Sequence, residues 1–512
     1  MTARFYVTTP IYYVNGAPHI GHAYTSIAAD VLARFHRLSG HDVFFLTGTD
    51  EHGQKVEQAA QTAGVEPKAF VDTISANFRD MADSMAISYD DFIRTTEPRH
   101  IKSAQALWEK VAESGAIYLG AYEGWYALRD ECFYGEDELV SDAQGNKVAP
   151  TGAPVEWVKE PSYFFKLSDY QDKLLALYEA HPEFLGPTGA RREIISFVKQ
   201  GLRDLSVSRT SFKWGIPVPG DEAHVMYVWF DALANYLSAL DYPNTDAPKA
   251  AFWPASLHLV GKDIARFHAV YWPAFLMAAG IDVPKKIFAN GWWTVEGQKM
   301  SKSLGNVIDP RDLVKEFGLD AVRFFLLREV PFGGDSDLSR KSLIMRNNVE
   351  LANDLGNLCQ RTLSLVARNC GGIVPERRTL TDEDSQILGQ VALLPSLMAT
   401  QMERCALTDA LEDVWKVIRA GNAYIDHQAP WALKKTDAER MNDVLRVLLD
   451  VLRGIATVLQ PFMPHSMERM LTQLGVTDSE RSFAALETLL PAGRELPAPQ
   501  GIFPRYVEEQ TA

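Results

Sequence analysis

The sequence predicts an α/β chain with an all-α end: a doubly wound parallel sheet, split by an insertion, then a helix bundle. Three observations predict it. The first fifty residues read strand, turn, helix, strand; the texture changes between Ile117 and Pro219; and after about Asp337 apolar residues recur at helical spacing.

Phe5-Tyr6-Val7-Thr8-Thr9 is rich in strand formers, and Asn15-Gly16 marks a turn in the Pro10–Pro18 loop. Ile20, Ala23, Ile27, Val31 and Phe35 then repeat every three or four residues, with Gly40 as a stop. Val43-Phe44-Phe45-Leu46 is the short apolar run of a strand buried in a parallel sheet. Such a β-α-β unit belongs to a doubly wound nucleotide-binding fold, whose ligands sit at the carboxyl ends of the strands. The Tyr-, Trp- and Gly-rich stretch that follows reads as an insertion between the halves of that fold. Two further buried strands, Leu257–Val260 and Ile287–Asn290, each run into a glycine. Val444, Val447, Leu448, Val451, Leu452, Ile455, Val458 and Leu459 form one apolar helix face, ended by Pro461 and Pro464, in a bundle expected from about Ser342.

The chain has 512 residues, 46% hydrophobic and 23% charged, which excludes disordered, collagenous and disulfide-scaffold classes. No apolar run is long enough to span a membrane, and the first residues read as a strand rather than a signal peptide. Four cysteines, at 132, 359, 370 and 405, are too scattered for a zinc knuckle or redox pair and suit a reducing cytoplasm. A net charge of −15 argues against a general nucleic-acid coat, though not against local basic patches.

Two motifs carry chemistry. In Pro18-His19-Ile20-Gly21-His22, Pro18 sits where a helix would begin, and the histidines share a face of its first turn. Gly21 leaves room for a ligand at the backbone. Imidazoles at a helix N-terminus can donate to phosphate oxygens whose charge grows during displacement. Gly297-Gln298-Lys299-Met300-Ser301-Lys302-Ser303 is a cationic loop suited to a departing pyrophosphate. Taken singly, the first reads sooner as a capping or surface pair, and the second as a solvated turn.

Together, in this order, the motifs resemble the His-Ile-Gly-His and Lys-Met-Ser-Lys-Ser signatures of class I aminoacyl-tRNA synthetases. The flanking residues resemble the methionyl-tRNA synthetases over almost the whole chain: Thr9–Gly16, Thr47-Gly48-Thr49-Asp50-Glu51-His52-Gly53, Tyr227-Val228-Trp229-Phe230-Asp231-Ala232, Gly261–Ile264, Phe267-His268 and Asn290-Gly291-Trp292. The insertion of about 100 residues is too short for the editing domain of the isoleucine, leucine and valine enzymes.

The resemblance implies activation of methionine by ATP, with magnesium accompanying the nucleotide, and transfer to the 3′-terminal adenosine of tRNA(Met) for initiation and elongation. It implies that His19, Gly21, His22, Lys299, Ser301 and Lys302 handle ATP, with His19, His22, Lys299 and Lys302 catalytic. Ile11, Tyr13, Trp229, Ala232, Tyr236, Ile264, His268 and Trp272 are implied to line the methionine pocket, and Asp50 to pair with the ammonium. A thioether suits aromatic and branched walls, and a carboxylate–ammonium bond is worth roughly twice a neutral one. Each aromatic taken singly reads sooner as ordinary core, and Asp50 alone is equally an N-cap for a helix starting near His52. Asn357, Arg361 and Trp431 are implied to face the CAU anticodon, Trp431 in a proline-fixed Ala429-Pro430-Trp431 loop.

Family members often carry zinc knuckles in the insertion, but here Ala127 and Asp130 replace the first cysteine pair and no cysteine lies near Val148–Pro154. Tetrahedral zinc needs four ligands. No structural zinc is therefore expected, with Glu156-Trp157-Val158 and Tyr163-Phe164-Phe165 packing in its place. The expected segments are 1–116 and 223–295 for the split catalytic domain, 117–222 for the insertion, 296–341 for the lysine loop and linker, and 342–512 for the anticodon-binding bundle. Little chain follows the bundle, so a monomer without an obligate protein partner is expected. The competing readings are another nucleotidyltransferase with the histidine motif, such as a cytidylyltransferase or pantothenate synthetase, and a catalytically dead tRNA-binding paralogue.

Overall fold

A computed structural model describes residues 2–130, 132–142, 144–300 and 305–507, apart from the side chains of Tyr122 and Lys299. The chain divides into two compact units. One holds Arg4–Pro18 and Phe44–Asn290; the other holds the described residues of Met1–Ala3, His19–Val43 and Gly291–Ala512.

The first unit is built on a seven-stranded sheet. Its order is Leu185–Gly186, Ile287–Asn290, Leu257–Gly261, Arg4–Thr8, Asp42–Asp50, Tyr12–Tyr13, with Asp91–Arg94 also on Asp42–Asp50. The described registers in this sheet run parallel. The strand Arg4–Thr8 has Leu257–Gly261 on one side and Asp42–Asp50 on the other, so the strand order reverses beside it. In an open parallel sheet that switch point opens a crevice at the carboxyl ends. Those ends carry Ile11, Tyr13, Asp50 and the turn after Gly261. Beneath them lies one large core including Tyr6, Phe44, Leu46, Phe165, Phe230, Trp272 and Phe275.

The insertion is an antiparallel hairpin, Ile117–Ala127 against Glu156–Phe165, with Cys132–Tyr134 on its edge. Its tip is closed differently from the sequence expectation. Ala127, Tyr134, Ala149 and Ala153 form a small core of their own, joined by Cys132, Leu139 and Val155. Trp157 instead is 53% exposed, edge-on to Trp125, and Phe165 belongs to the large core. The reason is register: Glu156–Phe165 is committed to the strand Ile117–Ala127, so it cannot fold over a tip that lies beyond the ladder. Asp130 N–H donates to Ala127 O (3.1 Å) and Gly152 N–H to Ala149 O (2.8 Å). The Asp130 carboxylate accepts from the Tyr134 and Thr151 hydroxyls. Among the described residues no group of three His, Cys, Asp or Glu is placed to hold a metal ion.

The second unit joins the helix Ile20–Leu38 to Leu319–Arg328 and to the bundle helices Asp382–Glu403, Leu407–Gln428, Ala438–Leu459 and Pro464–Gln473. Fully buried Arg323 ties three of these parts. It donates to Asp30 Oδ2 (2.6 Å) and to the carbonyls of Pro461 (2.9 Å) and Phe462 (3.0 Å). Breaking such a buried pair by removing one partner costs about 3–5 kcal/mol. Among the described residues no helix is long and apolar enough to cross a membrane.

Candidate functional site

The first unit gathers most of the residues expected to line an amino-acid pocket. Trp229 and Ala232 lie on the short helix Val228–Leu233, and Tyr236 one turn further on. Ile264 ends a tight turn after Gly261, and His268 sits in a π-helical turn that runs into Trp272. A π turn adds a residue to the helical repeat and often marks functional positions. The Tyr236 hydroxyl lies 2.7 Å from His268 Nε2, and His268 Nδ1 lies 3.0 Å from Ile264 O. A carbonyl only accepts, so Nδ1 carries the ring hydrogen and Nε2 accepts from Tyr236. Burial lowers the His268 pKa to about 4, against a small opposing effect of the Ile264 carbonyl, so the ring is neutral at neutral pH.

Trp229 stacks on Phe267 (3.9 Å between ring centres) and stands edge-on to His268 (6.2 Å). Ile11, Tyr13, Trp229 and Ile264 are partly buried against the same large core. Asp50 ends its strand, paired in register with Tyr13, and Val14 N–H donates to its carbonyl (3.2 Å). The result is an apolar and aromatic cluster that holds a neutral hydroxyl–imidazole pair, with the Asp50 carboxylate at a strand end of the same unit.

Several residues here had no role in the sequence reading. Buried His258 lies 2.8 Å from Thr8 Oγ1 through Nδ1, and accepts from the Trp272 indole (3.3 Å) through Nε2. Burial first, then His268, pushes its pKa well below the ordinary value. A histidine inside an apolar strand run was the available signal. Asp231 is completely buried, its Oδ2 2.7 Å from His52 Nδ1 and its Oδ1 2.7 Å from His100 Nε2. Burial would raise its pKa, but the two histidines outweigh that and hold it below the usual carboxylate value. Asp231 and His52 stood inside matching motifs; nothing in the sequence pointed to His100.

The second unit carries the histidine motif. His19 is the N-cap of Ile20–Leu38, so Pro18 lies before the helix rather than at its first position. The cap is the cause, since the His19 imidazole takes the place of a capping hydroxyl: Gly21 N–H donates to His19 Nδ1 (3.1 Å) and His19 N–H to His22 Nδ1 (3.1 Å). The rings stack at 3.8 Å. The capping alternative is thus realised, and it has a chemical consequence. With Nδ1 accepting, the hydrogen of each neutral ring is on Nε2, a donor suited to an anion. Burial, then His19, holds His22 well below the ordinary histidine pKa. A Cβ on Gly21 would stand 3.0 Å from the His19 ring, so any other residue would press on the capping imidazole.

The lysine motif begins on a hairpin. Trp293–Val295 pairs antiparallel with Gln298–Lys299 across a turn with Gly297 at φ +77°. Asp337 fixes this base, accepting from Gly297 N–H (2.7 Å) and Thr294 Oγ1 (2.6 Å). Ser301 and Lys302 lie outside the described residues, as does the Lys299 side chain.

In the bundle, Asn357 opens the helix Asn357–Asn369, and Arg361 follows one turn later. The Arg361 guanidinium pairs with Asp426 and stands 5.4 Å from the Trp431 ring centre. Trp431 is in the short helix Pro430–Thr436 rather than a loop. Ala429, at φ +43°, ends the preceding helix in the left-handed region, and Pro430 restarts one at once. The indole is 46% exposed, so it is not a core residue.

The chain matches known proteins in two consecutive parts, divided further along than the two compact units. Residues 5–363 match the family profile described as tRNA synthetases class I (M), and residues 374–512 match the anticodon binding domain of methionyl tRNA ligase. The chain is 56% identical to the methionine–tRNA ligase of Rickettsia bellii, over 99% of this chain and all of that one. It is 53% identical to the Mesorhizobium japonicum enzyme of the same name, over 99% of each. A solved structure, Mycobacterium tuberculosis methionyl-tRNA synthetase in complex with methionyl-adenylate, superposes with a TM-score of 0.96 at 48% identity, covering 98% of this chain and 100% of that one.

Proposed function

The chain belongs to the class I methionyl-tRNA synthetases, and from that premise we propose how its own residues perform the reaction. It is an ATP-dependent methionine–tRNA ligase, forming methionyl-adenylate and pyrophosphate and then methionyl-tRNA. In our assignment the chamber of Ile11, Tyr13, Trp229, Ala232, Tyr236, Ile264, His268 and Trp272 takes the thioether side chain. Asp50 takes the ammonium. The observation that carries this is the Tyr236–His268–Ile264 chain, which presents a neutral polar pair inside an apolar chamber. A neutral pair suits a sulfur atom, whereas a charged side chain entering there would go unpaired.

No protein nucleophile is needed, because the methionine carboxylate itself attacks the α-phosphorus. The protein's part is positioning and charge stabilisation. His19 and His22 donate through Nε2 to phosphate oxygens, with Gly21 keeping the backbone accessible. Lys302, with Lys299 and Ser301, receives the departing pyrophosphate, and magnesium enters with ATP as substrate. Asn357, Arg361 and Trp431 face the anticodon of tRNA(Met), a guanidinium–indole pair being a stacking surface for an unpaired base. Residues 1–116 and 223–295 serve as the catalytic domain, 117–222 as the insertion, 296–341 as loop and linker, and 342–512 as the anticodon domain. The active form is a cytoplasmic monomer.

The experiment is ATP–pyrophosphate exchange by the purified protein with each of the twenty amino acids. Exchange with methionine far above the others is expected; equal exchange with leucine or isoleucine would overturn the pocket assignment. The insertion tip needs no zinc in this assignment, since three alanines and the Asp130 hydrogen bonds close it. Metal analysis should find no stoichiometric zinc, whereas a structural site would give about one per chain.

A further inference from the structure

The ammonium partner and the side-chain walls of the pocket come from distant parts of the sequence, yet one buried carboxylate joins them. Asp231 lies between Trp229 and Ala232 on the helix Val228–Leu233. Its Oδ2 receives His52 Nδ1–H at 2.7 Å, and His52 is two residues beyond Asp50. Its Oδ1 receives His100 Nε2–H at 2.7 Å, from the helix Pro98–Glu113. His100 continues through Nδ1 to Ser238 Oγ (3.1 Å), in the turn that carries Tyr236. Trp214 holds the same strand end from another side: its indole donates to Glu51 O (2.6 Å), its carbonyl accepts from Gly53 N–H (3.0 Å), and its ring stands edge-on to His52 at 5.5 Å.

We propose that Asp231 and His52 are positioning residues, which set the distance between Asp50 and the aromatic walls so that ammonium and thioether are recognised together. The inference rests on the methionine-activating function proposed above. Two anchor points on one small substrate reward binding only if their separation is held by the protein. The Asp231–His52 contact is charge-assisted and buried, and joins the end of the Asp50 strand directly to the helix that carries Trp229 and Ala232.

The test compares two ligands, L-methionine and its des-amino analogue 4-(methylthio)butanoate, by calorimetric dissociation constants. Their ratio reads how well Asp50 is aimed. In Asp231→Asn and in His52→Ala the preference for methionine should fall about tenfold or more, with the des-amino affinity almost unchanged. His52→Asn should restore most of the preference, because its Nδ2–H can donate from where the ring Nδ1–H did. If Asp231→Asn does not fold, the His52 pair decides alone. Equal weakening of both ligands, or an unchanged ratio in folded variants, would overturn the proposal. Wild-type protein without methionine-dependent exchange would overturn the function beneath it instead, a distinct result.

Discussion

The proposed amino-acid chamber and the proposed anticodon face use opposite physics. In the chamber, Asp50 apart, polar side chains are buried, neutral and paired in fixed directions: Tyr236 to His268, His268 to Ile264, Trp272 to His258. On the bundle, half-buried Arg361 pairs with Asp426 and stands over the exposed Trp431 ring. A small substrate that differs from its rivals by a methyl group or a sulfur atom must be sorted by exclusion, where each unpaired polar atom costs about 1–3 kcal/mol. A nucleic acid brings flat bases and phosphates, so stacking and local positive charge suffice even on a chain of net charge −15. Chemistry and decoding should accordingly be separable by mutation.

The largest expected effect sharpens the chemical side. Lys302→Ala should lower kcat for ATP–pyrophosphate exchange by about 10²–10³, with little change in KM for methionine. Wild-type exchange in that variant would remove the lysine loop from catalysis. Next in size is Tyr236→Phe, which deletes the hydroxyl facing His268 Nε2. Leaving that nitrogen unsatisfied should raise KM for methionine by about 5–100-fold while KM for ATP holds. A change confined to ATP would break the pocket assignment.

The smallest effect is on stability against acid. The folded His268 pKa, about 4, is below the ordinary 6.5. Its contribution is therefore complete above pH 6.5 and is lost as pH falls toward 4. Asp384 in the bundle is also lowered, to about 2 from 3.8: burial opposes the shift, but bonds from Arg440, Tyr424 and Thr381 outweigh it. Its contribution is complete above pH 3.8 and erodes only toward pH 2. Hydrogen exchange across this range should show peptides around His268 loosening at a higher pH than those around Asp384. The reverse order would contradict the two assignments.

The same contrast explains what could be read from the sequence. Strands and bundle were legible because apolar spacing reports burial directly: Phe44–Leu46 and Leu257–Val260 are buried strand segments, and Val444–Leu459 lies within one helix; the insertion showed instead as a change of texture rich in Tyr, Trp and Gly. Both motifs were visible as spacing, but the His19 cap was not, since imidazole replaces the usual capping hydroxyl. Trp431 was read as loop because Pro430 looks like a breaker, whereas Ala429 in the left-handed region lets it start a helix. The Asp231–His52–His100 contacts join positions 179 and 131 residues apart, a pairing that no local pattern encodes. The insertion tip misled for a related reason: Trp157 and Phe165 look like core, but strand register sends one to solvent and the other to a different core.

Side-by-side assay of exchange and tRNA(Met) charging in Trp431→Ala tests the separation most directly. An indole stack on a base is worth about 1–3 kcal/mol. Charging should therefore fall by roughly one to two decades, with methionine-dependent exchange and Tm unchanged. Equal losses in both reactions, or full charging with the indole gone, would contradict the account.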